Sequence, residues 1–166
     1  LKKLNVKVLF SDCATATLLT KSDNEPKFDF YSDGGKCFSL SQQYTNYDKD
    51  VDSNNLIMDG NKVFNFTLST VPKLISNFLK KNKIKKNEID FVILHQASKV
   101  VNENLIRNID IDDKKFLSNY EIYGNTVSSS IPLLLSENFK KFKNKKILMC
   151  GFGVGLSVGT CYYEFK

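Results

Sequence analysis

Apolar residues along this chain follow two rhythms. Short dense or alternating runs occur at Val6-Lys7-Val8-Leu9-Phe10, Ala14-Thr15-Ala16-Thr17-Leu18-Leu19, Lys27 to Tyr31, 90 to 94, Ile147 to Cys150 and Ser157 to Phe165, and these read as strands. Between them, apolar positions recur every three or four residues. From Gly60 the series Val63, Phe64, Leu68, Val71, Leu74, Ile75, Phe78 and Leu79 predicts a helix, with Pro72 inside it marking a kink or a break into two segments. A second helix is expected from about 98 to 108 on Val100, Val101, Leu105 and Ile109, and a third from after Asn125 to about Lys143, with Pro132 in its first turns or at a kink. Residues 36 to 55 are polar and without period, and read as a long surface loop. Strands alternating with helices place the chain in the α/β class as a single domain over 1–166.

The run Phe91-Val92-Ile93-Leu94 has no polar face, so it reads as a strand covered on both sides. Ligands bind open α/β sheets at the carboxyl ends of such strands. His95, the one histidine of the chain, stands there, and Tyr123-Gly124-Asn125-Thr126 follows thirty residues later. Asn125 begins the third helical pattern, and a glycine-rich turn, Gly151 to Gly159, joins the last two strands. Either residue alone has an ordinary structural explanation, a satisfied strand end or a Gly-Asn turn. Together with the glycine turn they mark one candidate catalytic edge.

Composition narrows the chemistry. With 42% hydrophobic and 25% charged residues, the 166-residue chain can bury one good core. Its apolar runs fall far short of the ~20 residues of a bilayer-spanning helix. The net charge of +6 comes almost wholly from lysine, Arg107 being the sole arginine, which argues against base-edge readout of nucleic acid. Lysine clusters at 80–86 and 140–146 follow helices and complement their negative dipole ends. Cys13, Cys37, Cys150 and Cys161 form no metal-ligand spacing and fit a reducing, cytoplasmic setting. The opening Leu1-Lys2-Lys3-Leu4-Asn5 has neither Met nor a secretory stretch, so the chain is expected to be part of a longer protein.

Two glycine motifs are excluded. Only seven residues follow Gly159, too few for the helix and acidic residue of a dinucleotide fold. Gly155-Leu156-Ser157-Val158-Gly159 matches a nucleophile elbow by letters, yet Thr160 to Phe165 continues as strand rather than helix, and His95 lies upstream. The glycines remain suited to close backbone approach and to N–H donation toward an oxyanion.

Asp90-Phe91-Val92-Ile93-Leu94-His95-Gln96-Ala97 resembles the histidine motif of β-ketoacyl-acyl-carrier-protein synthase III, and Tyr123-Gly124-Asn125-Thr126 with Ser129-Ser130-Ile131-Pro132 resembles its asparagine motif. Leu9 to Ala14, Met58-Asp59-Gly60-Asn61 and Gly151 to Gly159 are similar to three further motifs in the family's order. The resemblance implies the C-terminal half of a thiolase-like fold, a mixed five-stranded sheet with helices packed on its faces. It also implies an N-terminal half that carries the nucleophilic cysteine, which none of the four cysteines here matches.

By the same resemblance, the whole enzyme performs a decarboxylating Claisen condensation of acyl-CoA with malonyl-acyl carrier protein, with no cofactor, as a homodimer. His95 and Asn125 are implied as donors to the thioester oxygen, and the backbone N–H of Val154 as an oxyanion donor. Ser98, Gly60, Asn61, Phe152 and Gly153 are implied substrate-binding positions, and Lys99 and Arg107 carrier-docking ones. This sequence departs from the family at Ser98, usually asparagine, at Val100, usually arginine, and at Val158, commonly tryptophan. Two other readings fit: an acyltransferase forming esters or amides, or a non-catalytic subunit that binds acyl carriers.

Overall fold

The structure, a computed structural model, describes residues 8–42 and 56–166. Its centre is a five-stranded sheet built from β1 (Lys27–Ser32), β4 (Phe91–Leu94), β5 (Phe116–Leu117), β6 (Lys145–Gly153) and β7 (Ser157–Phe165), in the order β1-β7-β6-β4-β5. Parallel pairing joins β4 to both β5 and β6, while β6–β7 and β7–β1 are antiparallel, so the sheet is mixed. A separate two-stranded pair, β2 (Leu40–Gln42) with β3 (Leu56–Met58), brackets the residues outside the description.

Helix α1 (Gly60–Lys81) starts where the Asp59 side chain accepts the Lys62 N–H, and it ends on Lys80 and Lys81. An acid at the amino end and lysines at the carboxyl end match the helix dipole. One helix continues through Pro72, correcting the expected alternative of two consecutive segments. The stripe Val71, Ile75, Phe78 and Leu79 is buried against the sheet, and the proline's one lost hydrogen bond is tolerated in a helix held by that packing. Phe78 is wholly buried, and truncating it to alanine costs about 3–5 kcal/mol. Helix α2 (Lys99–Asn108) lies beside α1 on the same sheet face, adding Leu105 to a core with Val92, Leu94, Leu148 and Cys150.

The opposite face receives α4 (Ser130–Asn138), which brings Leu134 against Ile93, Ile147 and Phe142. Pro132 is the third residue of α4, where no intrahelical N–H is missed. The expected helix to Lys143 is shorter, since Phe139–Lys141 tightens into a 3-10 turn. Among the described residues no helix is long and apolar enough to cross a membrane.

Two expected strands are absent from the sheet among the described residues. Val6 and Lys7 lie outside the described residues, and Phe10 makes only an isolated parallel bridge to Asn125. Ala14 to Leu19 is irregular and exposed, because no neighbouring strand takes up its backbone groups. Most of the expected 36–55 loop lies outside the description, while Gly34–Ser39 forms a 3-10 turn and Leu40–Gln42 a strand.

Candidate active site

Three segments meet at the carboxyl end of β4. His95 leaves β4 with its backbone N–H donated to Cys150 O at 2.9 Å, which ties it to β6. Its carbonyl accepts the Ala97 N–H at 3.0 Å and the Asn102 Nδ2–H at 3.1 Å, so α2 grips the same residue from the other side. Ser98 caps α2, its hydroxyl accepting the Val101 N–H at 3.3 Å. The backbone of His95 is therefore fixed before its side chain is considered.

The ring is held as firmly. Its Nδ1 lies 2.7 Å from the Ser130 hydroxyl in the first turn of α4, and the Phe152 ring meets it edge-on at 5.3 Å. A hydroxyl donating to Nδ1 leaves the ring proton on Nε2. Burial pushes the imidazole down to about 4, so the ring is neutral at ordinary pH.

Asn125 enters on a loop that follows the short helix α3 (Tyr120–Tyr123). Gly124 turns the chain with φ of 65° and ψ of −151°, a conformation essentially reserved for glycine, and an added Cβ would stand 3.3 Å from Leu9 O. The next residues bond across to the first described segment, Asn125 N–H to Leu9 O at 3.1 Å and Ser11 N–H to Asn125 O at 3.0 Å. Asn125 Oδ1 accepts the Val127 N–H at 2.9 Å. With its oxygen engaged, the amide Nδ2–H₂ remains as the donor group. Val127 pays for this geometry with a φ of 52°, a left-handed value that β-branched residues rarely adopt.

His95, Asn125 and Ser130 line one predominantly apolar cavity of about 760 Å³. Gly60, Ser98, Phe152, Gly153 and Val154 share its wall, so these expected positions are brought together. Val154 sits in the β6–β7 turn outside the positive-φ region, so valine fits there without backbone strain. The strand expected after the glycines forms as β7, and Ser157 is a strand residue.

Other expected positions fall outside the cavity wall. Asn61 is exposed in the first turn of α1, beside Gly60 but not lining the cavity. Lys99 is held by Glu121 at 3.1 Å and Glu103 at 3.9 Å, and Arg107 lies 4.0 Å from Glu103, so both cations on α2 have acidic neighbours. None of the four cysteines lines the cavity either. Cys150 faces the core with its thiol pushed up to about 12 by burial, which removes it as a nucleophile. The contact of Ser130 with the His95 ring joins segments 35 residues apart, and its one local signal is a hydroxyl one helical turn before Leu134.

A polar pair at the carboxyl edge of a mixed sheet with helices on both faces defines the chain as half of a thiolase-like fold. The chain belongs to the 3-oxoacyl-[acyl-carrier-protein] synthase III family, residues 79–165 matching the model described as the C-terminal part of that synthase. It is 35% identical over 166 aligned positions to the β-ketoacyl-[acyl-carrier-protein] synthase III of Lactococcus lactis subsp. cremoris strain SK11, covering 92% of this chain and 51% of that protein. The corresponding protein of Streptococcus pyogenes serotype M5 strain Manfredo is 36% identical over 167 positions, with the same coverages of 92% and 51%. Among solved structures, the 3-oxoacyl-(acyl-carrier protein) synthase of Burkholderia xenovorans LB400 superposes with a TM-score of 0.78 at 28% identity, covering 88% of this chain and 46% of that one. The chain thus spans about half the length of the curated relatives it matches.

Proposed function

We propose that this chain is the C-terminal half of a condensing enzyme, and that His95 and Asn125 stabilise the enolate formed when a malonyl thioester loses carbon dioxide. The observation that carries this reading is the 2.7 Å approach of the Ser130 hydroxyl to His95 Nδ1 at the cavity that Asn125 shares; with the hydroxyl as donor, the neutral ring keeps its hydrogen on Nε2. Two neutral donors fixed before reaction suit an oxygen that gains negative charge in the transition state. A protonated imidazole is not needed, in keeping with the low pKa.

In the reaction so read, the bond between the malonyl α-carbon and its carboxylate breaks, carbon dioxide leaves, and the electron pair is held as the enolate. That carbon then attacks an acyl thioester on a cysteine, expelling the thiolate. The cysteine belongs to an N-terminal half, and the Val154 N–H joins that half in receiving the acyl oxyanion. Support for a second half comes from exposed apolar groups, including Phe30 at 78%, Leu18 at 89% and Leu19 at 86% exposure, on segments with no covering layer. Acyl-CoA and malonyl-acyl carrier protein are the substrates in this reading, without a separate cofactor, in a homodimeric cytoplasmic enzyme. Ser98 and Phe152 border the pantetheine path, and the carrier docks near α2, whose cations Lys99 and Arg107 are already paired.

The test is mass spectrometry of the full-length protein mixed with a panel of acyl-CoAs, followed by malonyl-carrier addition. Acylation at one cysteine followed by carbon dioxide release is expected. Acylation without decarboxylation would sink the condensing role and leave transfer to an alcohol or amine, and no acylation at all would leave a binding subunit.

A further inference from the structure

Gln96 follows His95 directly, yet its side chain turns away from the cavity and is 1% exposed. Its Nε2–H donates to Leu94 O at 2.7 Å, and its Oε1 accepts the backbone N–H of Asn119 at 3.0 Å. Asn119 is itself buried, and its backbone N–H and side-chain Nδ2–H tie it to other segments. Its Nδ2–H donates to Glu137 Oε2 at 2.8 Å on α4, and its carbonyl accepts the N–H groups of Ile122 and Tyr123, each at 3.0 Å. The Glu137 carboxylate beside the Tyr123 phenol raises its pKa above the ordinary value.

These bonds link three short segments, and each segment carries one group of the site. Residues 94–96 carry His95, residues 119–125 carry Asn125, and α4 carries Ser130. Ser130 and Glu137 are seven residues apart on one helix face, about 10.5 Å along its axis. One rigid helix therefore holds the His95 ring at its start and the Asn125 loop two turns later. Besides these bonds, the 119–125 segment is tied to the Leu9–Ser11 segment and, through Glu121, to Lys99 on α2.

We propose that Asn119 is a positioning residue, acting through Gln96 and Glu137 to set the separation of the His95 and Asn125 donors. The inference rests on the enolate-stabilising role proposed above. Neither Asn119, Gln96 nor Glu137 lines the cavity, so their effect is on geometry rather than on contact with substrate. Donor placement is demanding: an error of about 1 Å can reduce a rate about a hundredfold.

The experiment uses the full-length enzyme with Asn119→Ala, Glu137→Ala, Glu137→Gln and the Asn119→Ala/Glu137→Ala double variant. Glu137 is exposed, so its variants retain the fold even where Asn119→Ala does not. Malonyl-carrier decarboxylation is expected to fall about tenfold or more in both alanine variants, with cysteine acylation changed less than about twofold. The double variant should be no slower than Asn119→Ala, and Glu137→Gln, which keeps an acceptor oxygen, should recover most of the rate. Equal loss of both steps, or full decarboxylation in folded alanine variants, overturns the proposal. A parallel spectrum of ¹⁵N-asparagine-labelled protein follows the Asn125 side-chain amide without any turnover. If wild-type enzyme acylates but never decarboxylates, the enolate reading fails by itself. The positioning role is then judged by that amide resonance, which must move in Glu137→Ala; an unmoved resonance overturns it.

Discussion

The Ser130 hydroxyl lies 2.7 Å from His95 Nδ1, and this contact joins the start of α4 to the end of β4. In the proposed reaction the hydroxyl donates to Nδ1, and an imidazole whose Nδ1 accepts a hydrogen bond keeps its own hydrogen on Nε2. Ser130→Ala removes the contact and frees the ring to exchange tautomers. Malonyl decarboxylation in the full-length enzyme should drop by about one to two orders of magnitude, the scale of one lost hydrogen bond to a charged transition state at about 1.5–3 kcal/mol. As His95 is the sole histidine here, ¹⁵N-histidine spectra of this chain read the tautomer directly, and an unchanged Nε2–H form in Ser130→Ala would contradict the assignment.

The same burial that keeps His95 neutral makes stability depend on pH. An unfolded histidine takes up its proton near 6.5, whereas the folded ring waits until about 4. Between those values the unfolded chain binds more protons, so stability falls as pH is lowered through this window and is regained as pH rises. The full effect, reached below about pH 4, is roughly 3 kcal/mol. Urea unfolding between pH 7 and 4.5 should show this slope, and His95→Gln should flatten it. A wild-type slope equal to that of His95→Gln would mean the ring is not held neutral by its surroundings.

Val127 is strained for the sake of Asn125. Its φ of 52° directs its N–H to Asn125 Oδ1, while its side chain is 56% exposed and gains little from burial. Val127→Asn suits the left-handed region and should raise stability by about 0.5–1 kcal/mol, part of the roughly 1–2 kcal/mol that this backbone costs an ordinary residue. Chemical denaturation measures it; a loss of stability would show that the valine side chain is held by contacts in its favour.

Much of this arrangement is readable from sequence because burial leaves a periodic mark. The unbroken Phe91 to Leu94 run announced a doubly covered strand, and Val71, Ile75, Phe78 and Leu79 announced the helix face that covers it. The β6–β7 pair and the location of His95 at a strand end followed from the same logic. What stayed hidden depends on partners distant in sequence. Phe116-Leu117 is too short to show a period, and it becomes a strand only beside β4. Ala14 to Leu19 has strand composition but no neighbour to pair with. Pro72 looked like a break until tertiary packing outweighed its one lost bond. The acidic neighbours of Lys99 and Arg107 are likewise set by the fold, since Glu121 reaches Lys99 from another segment. The contacts of Gln96 with Asn119, and of Asn119 with Glu137, cross segments and leave no local pattern at all.

In the proposed reaction His95 and Asn125 act together on the enolate and not on acyl transfer. This is tested most directly by measuring cysteine acylation and malonyl-carrier decarboxylation separately in full-length His95→Ala and Asn125→Ala enzymes. Decarboxylation is expected to fall by about a hundredfold or more in each, with acylation within a fewfold of wild type, the scale of losing one preorganised donor. Equal losses in both steps, or decarboxylation that survives either substitution, would contradict it.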